Sequence, residues 1–334
     1  MIGFALTMPA SAEEPASEPG PIVLQTVPLL ATPDEADFGD SPLALRRLKI
    51  RLVDGRWMRL VDCADGLCAE VTARGPGQAR LPADGVAGTR RVKGSQSIIE
   101  AWLSDAVERE GTGILPGSLA GALSARDRVG RVHRWELPLD RAIEDVVPRL
   151  ADLDGDGQDE IVVAMTRAGE GARLAVVGLR QDGLALMAES EPAPGGVWRD
   201  PVAIADLDGD GHLEIATVAS GDRAGRLEVW RYSGGHLEVG WGLKGFRSHI
   251  QGTRTTGIAA IADMDGDGLA DLIVPGLDSP SLRIVSFANG EVAEPYRIEL
   301  PAEPVTAIGA FSVEGRARPI VAVGLADATL VLAR

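Results

Sequence analysis

An all-β fold built from repeated four-stranded units is predicted by three observations. First, "VPRLADLDGDGQDEIVVA", "PVAIADLDGDGHLEIATV" and "IAAIADMDGDGLADLIVP" align without gaps, and their first motif aspartates, Asp152, Asp206 and Asp263, are 54 and then 57 residues apart. Second, each copy leads into further strand-like runs; after the second these are "EIATVA", "GRLEVWRYS" and "GHLEVGWGL", separated by Gly-rich turns. Third, "VTAIGAFSVEGRARPIVAV" keeps the same hydrophobic frame about 47 residues further on but sets Ala310, Ser312 and Arg318 where Asp263, Asp265 and Asp271 stand. Four short strands in roughly 50 residues are the mark of a β-propeller blade. The expected ring has about six blades, within a range of five to seven.

Along the chain, "MIGFALTMPASA" is short, apolar and closed by Ala10-Ser11-Ala12, which reads as a truncated signal peptide over 1–12, although a basic n-region is missing. Residues 13–42 are rich in Pro, Glu, Ala and Ser and are expected to form a linker. Inside them only "PIVLQTVPLL" has the makings of a strand, if it docks elsewhere. The propeller is expected over 43–334. Its first part, "LRRLKIRLVDGRWMRLVDCADGLCAEV", alternates charged and apolar residues around two Asp-Gly turns, as a meander does. "SIIEAWL" and "GRVHRWELP" suggest a degenerate blade, followed by acidic-loop blades at about 146–190, 199–243 and 255–299. The last, metal-free copy at 304–334 is short of an outer strand, which the N-terminal region could supply and so cover an open edge.

The two cysteines lie in "CADGLC". A type I′ turn at Asp65-Gly66 would set Cys63 opposite Cys68 within disulfide range, which suits an oxidising compartment and hence a periplasmic, secreted or cell-surface location. Four residues separate these cysteines, so they are neither a CxxC redox pair nor half of a zinc site.

Each acidic loop carries acids at positions 1, 3, 5 and 9 and glycines at 4 and 6. Carboxylates at odd positions of a tightly curled loop converge on one centre, and the glycines permit the backbone angles that this needs. An all-oxygen, flexible shell of this kind suits Ca²⁺. An EF-hand opens in the same way but ends on a bidentate Glu at position 12, where this chain has Val163, Thr217 and Val274. Four acids per loop without an ion would repel one another at close range.

The pattern D-x-D-G-D-G-x-x-[DE] between two strands resembles the FG-GAP, or VCBS, repeat of the integrin α-subunit propeller and of many bacterial secreted proteins. By position, the resemblance implies side-chain ligands at Asp152, Asp154, Asp156 and Glu160, at Asp206, Asp208, Asp210 and Glu214, and at Asp263, Asp265, Asp267 and Asp271. Backbone oxygens would come from Gln158, His212 and Leu269, giving about three Ca²⁺ ions. Glu stands in place of Asp at position 9 of the first two loops, a departure that bears on their geometry.

The net charge of -16 argues against a nucleic-acid partner, and no apolar run is long enough to cross a bilayer. His133, His212, His236 and His249 are scattered and no G-x-S-x-G nucleophile occurs, so an enzyme is not expected. The expected function is a calcium-stabilised binding or scaffold module of the cell envelope, a monomer with a protein or glycan partner. The alternatives are a propeller-borne enzyme acting on polysaccharide or phosphoester, and a calcium-regulated adhesion protein. The long polar crossover "WGLKGFRSHIQGTRTTG" offers Lys244, Arg247, His249 and Arg254 to an anionic partner.

Overall fold

The computed structural model describes residues 22–37, 48–64, 66–73, 75, 80–220, 225–312, 316 and 318–334. The signal-like stretch 1–12 lies outside the described residues. The described chain is all-β apart from one short 3-10 turn, Ala288–Gly290, and falls into six antiparallel blades. Blade 1 is β2 (Pro33–Asp37), β3 (Lys49–Leu52), β4 (Trp57–Cys63) and β5 (Gly66–Thr72). Blade 2 is β6 (Val92–Lys93), β7 (Ile98–Val107), β8 (Leu119–Asp127) and β9 (Val132–Glu136). Blade 3 has β10 (Arg141–Ile143) and β11 (Arg149–Ala151) on one side of β12 (Glu160–Arg167), then β13 (Arg173–Arg180) and β14 (Gly183–Glu189). A single pairing of Ile143 with Ala120 joins blades 2 and 3 into one continuous sheet.

Blade 4 is β15 (Trp198–Ala205), β16 (Glu214–Ser220), β17 (Arg226–Ser233) and β18 (His236–Lys244). Blade 5 is β19 (Ala260–Ala262), β20 (Asp271–Pro275), β21 (Ser281–Ser286) and β22 (Ala293–Glu299). Blade 6 takes three strands from the C-terminal region, β23 (Pro304–Phe311), β24 (Ile320–Leu325) and β25 (Thr329–Ala333), and its fourth from β1 (Leu24–Pro28).

The segment expected to be a linker therefore contains two strands, β1 and β2. Low apolar content does not keep it out of the fold, because it adds to sheets that already exist. β1 pairs with β25 from Leu24 opposite Ala333 to Pro28 opposite Thr329, and reciprocal backbone bonds between Val23 and Arg334 extend the ladder. Covering the β25 edge in this way removes a row of unpaired N–H and C=O groups.

The second strands of the repeats, β12, β16, β20 and β24, are buried along nearly their whole length. Their apolar residues run continuously because both faces of each strand are covered, and alternation belongs to strands with one wet face. Successive side chains point to opposite neighbours. Ile161 and Val163 pack with Leu103 and Leu123 of blade 2, whereas Val162 packs with Ile215 and Trp230 of blade 4. Leu272 and Val274 join blade 4, and Ile273 joins Val321 and Val323 of blade 6. Leu330 and Leu332 face Ile50 and Met58 of blade 1. Apolar clusters thus seal blades 2 to 3, 3 to 4, 4 to 5, 5 to 6 and 6 to 1. Among the described residues no such cluster joins blade 1 to blade 2, and the face of blade 2 turned from blade 3 carries the Arg91–Glu100–Arg126 ion pairs instead.

The cysteines form a disulfide with Cα atoms 5.9 Å apart. Its register differs from the expected one: Cys63 faces Gly66 and Val61 faces Cys68, so the connection sits one residue earlier and the bridge runs diagonally across the ladder.

Candidate metal loops

The three acidic loops lie between the first and second strands of blades 3, 4 and 5. Their glycines are there for backbone reasons: Gly155 and Gly157, Gly209 and Gly211, and Gly266 and Gly268 all have φ between 74° and 88°, a region that side-chain-bearing residues resist. Each loop curls around its own first aspartate. Asp152 Oδ2 accepts from Gly157 N at 2.9 Å, Asp206 Oδ2 from Gly211 N at 3.0 Å and Asp263 Oδ2 from Gly268 N at 3.0 Å. The acid at position 9 closes the loop with one oxygen only. Leu153 N donates to Glu160 Oε2 (2.9 Å), Leu207 N to Glu214 Oε2 (2.9 Å) and Met264 N to Asp271 Oδ2 (2.7 Å).

Ligand atoms of Asp152, Asp154 and Glu160 lie within 4.8 Å of one another, as do those of Asp263, Asp265 and Asp271. In the second loop the compact set is Asp206, Asp208 and Asp210, without Glu214. Position 5 therefore departs from the expected pattern in the first and third loops: Asp156 and Asp267 stand outside the compact sets and accept the N–H of Gln158 and Leu269, both at 2.8 Å. His212 N makes the same bond to Asp210 at 2.9 Å, which holds that carboxyl below the usual range, with the Arg231 charge adding to the effect.

Burial pushes the Glu160 carboxyl up to about 7 and that of Asp271 to about 6, and the neighbouring loop aspartates add to both. Asp265 is raised for the same reasons. Asp152 Oδ1 is buried without a hydrogen-bond partner. A buried acceptor without a donor is costly, and a hard cation among these carboxylates would satisfy it. The residues of the first and third loops thus fit calcium: acids only, close together, with free oxygens.

Two residues outside the expected ligand pattern belong to this region. Asp159 is buried and accepts from Gln96 N (3.1 Å) and Ile98 N (3.0 Å), while its own N–H donates to Ser97 Oγ (2.9 Å). It ties the first loop to blade 2 and is not part of the ligand set. Arg231, on β17, lies against the second loop, and the first and second loops meet across a cleft of about 230 Å³ lined by Leu153, Asp154, His212, Arg231, Tyr232 and Ser233.

The crossover after β18 does not present a free cationic surface. Lys244 is exposed, but Arg247 pairs with Glu303 of blade 6 and bonds Gly276 O at 3.2 Å. Arg254 reaches Ala87 O (2.9 Å) and Ser118 O (3.1 Å) in blade 2. His249 lies edge-on to Trp198 with ring centroids 5.4 Å apart, and burial together with the Arg247 charge lowers its pKa. Gly257 N donates to the fully buried Asp200, which also faces Arg149. The segment turns inward because its backbone and guanidinium groups find partners on other blades.

Against known families, FG-GAP-like repeats match at residues 152–217 and 206–274. Residues 152–274 are FG-GAP-like repeats. Among curated proteins none matches the sequence. Among solved structures the chain is similar to the WD40 domain of Toxoplasma gondii coronin, at 11% identity and a TM-score of 0.41 over 93% of this chain and 86% of that one. It is also similar to the exotype rhamnogalacturonan lyase YesX, at 12% identity and a TM-score of 0.38 over 90% of this chain and 57% of the lyase. A protein from Lactobacillus plantarum aligns at 14% identity and a TM-score of 0.36 over 79% and 71% of the two chains. The FG-GAP matches begin on Asp152 and take in the second and third acidic loops.

Proposed function

We propose that this FG-GAP repeat protein is a calcium-stabilised propeller that serves as a binding or scaffold module of the cell envelope. The observation that carries the calcium reading is the buried, partnerless Asp152 Oδ1 beside Asp154 and Glu160. Asp152, Asp154 and Glu160 would hold one ion, and Asp263, Asp265 and Asp271 another. The ion's contribution is electrostatic and structural: it offsets repulsion between carboxylates and fixes the turn from one strand into the next, so binding and folding are linked. The Cys63–Cys68 disulfide supports an oxidising, extracytoplasmic setting.

Calorimetric titration of the EGTA-stripped protein tests the metal. Micromolar or tighter calcium binding together with a higher melting temperature supports the reading, and no heat with no change in melting overturns it. Capture from envelope extract with and without EGTA tests the module: a specific partner lost on chelation supports it, and no partner in either state counts against it.

A further inference from the structure

The three acidic loops are alike in sequence, yet one of them already has a cation. In the second loop, Arg231 Nη2 lies 2.6 Å from Glu214 Oε1 and 3.0 Å from Asp208 Oδ2, and its Nη1 lies 2.8 Å from Asp210 Oδ2. Arg231 Nε adds a bond to Glu214 Oε1 at 3.1 Å. The other Glu214 oxygen is held by Leu207 N, so both oxygens of the position 9 acid are committed. In the first and third loops the corresponding second oxygen is not held by any cationic side chain among the described residues.

The difference is set by strand register. Glu214 on β16 faces Arg231 on β17, whereas Glu160 on β12 faces Gly178 on β13. In blade 5, Leu272 faces Val285, which brings Asp271 alongside Ser286. Neither glycine nor serine can supply a charge. In blade 6, Arg318 stands at position 9 itself, donates to Met264 O of blade 5 at 2.8 Å and lies over the Tyr296 ring.

We infer that the Arg231 guanidinium is the resident cation of the blade 4 loop, so that the chain binds two calcium ions, in blades 3 and 5, and not three. This rests on the reading that the acidic loops of those two blades hold calcium. A dication entering the second loop would have to displace charge-assisted, forked hydrogen bonds that already engage three of its carboxylates, or sit beside a guanidinium in their midst. In the first and third loops it displaces nothing.

Calcium titration of the EGTA-stripped full chain, read by calorimetry and checked by metal analysis after dialysis against micromolar calcium, gives the count directly. Two ions per chain is the expected result. Three ions overturns the inference and leaves the calcium reading standing; none overturns both. Arg231→Ser and Arg231→Gly place in blade 4 what blades 5 and 3 have, and each should raise the count to three. A count still at two, in a variant with an unchanged circular dichroism spectrum, overturns the role of Arg231. The reciprocal Gly178→Arg change should lower the count to one and weaken the first site at least ten-fold, and an unaltered count of two counts against the proposal. Should the variants fail to fold, the wild-type stoichiometry still decides.

Discussion

Blades 3 and 4 carry nearly the same loop, Asp-Leu-Asp-Gly-Asp-Gly, and use it differently. Loop 1 collects Asp152, Asp154 and Glu160 around a buried oxygen with no donor, and Glu160 is pushed up to about 7 by burial among like charges. Loop 2 has a cationic partner from within the fold, Arg231, paired with Asp208, Asp210 and Glu214. The comparison teaches that a metal motif specifies only half of a site. The strand facing it decides whether the acids wait for an ion or already have a cationic side chain as partner.

The largest expected effect sharpens this contrast. EGTA should destabilise the protein through blades 3 and 5 together: at calcium 100-fold above Kd, each site contributes about 2.7 kcal/mol by mass action. Thermal melts with and without chelator should differ by several degrees, and coincident curves would remove the basis of the contrast. The next effect separates the loops. Asp152→Ala and Asp263→Ala should each abolish one ion and about half of the EGTA effect, while Asp206→Ala should leave the calcium count unchanged. A lost ion in Asp206→Ala would break the comparison.

A smaller effect concerns position 8, which is Asp159 in the first loop but Leu213 and Ala270 in the others. Asp159→Ala leaves the buried N–H of Ile98 without an acceptor, at about 1–3 kcal/mol, and turns the N–H of the exposed Gln96 to water. Chemical denaturation should show this loss with calcium either present or absent. An equal loss in Leu213→Ala would mean that the tie to blade 2 is not what sets the first loop apart.

The smallest effect is a pH slope in the metal-free protein, from a group outside the loops. Burial pushes Asp200 up to about 7, with Arg149 pulling in the opposite direction. An unfolded aspartate titrates near 4, so the stability tied to the protonated form is complete below about pH 4 and is lost as pH rises through about 7. The melting temperature in EGTA should therefore fall between pH 5 and pH 8 more steeply in wild type than in Asp200→Asn. Parallel curves would show that Asp200 contributes nothing to the slope.

Much of the fold is legible in the sequence because it rests on short-range signals. The Asp-Gly alternation followed by "EIVVA", "EIATV" or "DLIVP" gives the loop and the doubly covered second strand together. The N-terminal "PIVLQTV" reads as a strand in need of a host, and β25 is that host. What escapes the sequence depends on register. The connection between β16 and β17 is too long for turn type to fix the pairing, so nothing local indicates that Arg231, and not Trp230 or Tyr232, faces Glu214. The Cys63–Cys68 hairpin also differs from its expected pairing, here through a short connection placed one residue earlier than the Asp-Gly signal suggests. Asp159 reads as one more loop acid, because its partners, Gln96 and Ile98, are brought in from another blade. The cations after β18 read as solvent-facing, since sequence cannot show that backbone carbonyls at Ala87 and Ser118 await Arg254.

The pairing of Leu24 with Ala333 also bears on the order of events during synthesis. Of the described strands, β1 leaves the ribosome first and must remain without its partner until β25, the last, has been made. Closure of the ring is then timed by completion of β25 and not by local hairpin formation. Contacts of such sequence separation are slow to form because the whole intervening loop must be ordered first. Until they form, the β25 edge is open to any other extended strand, and the newly made chain has its greatest exposure to domain exchange with a second copy of itself.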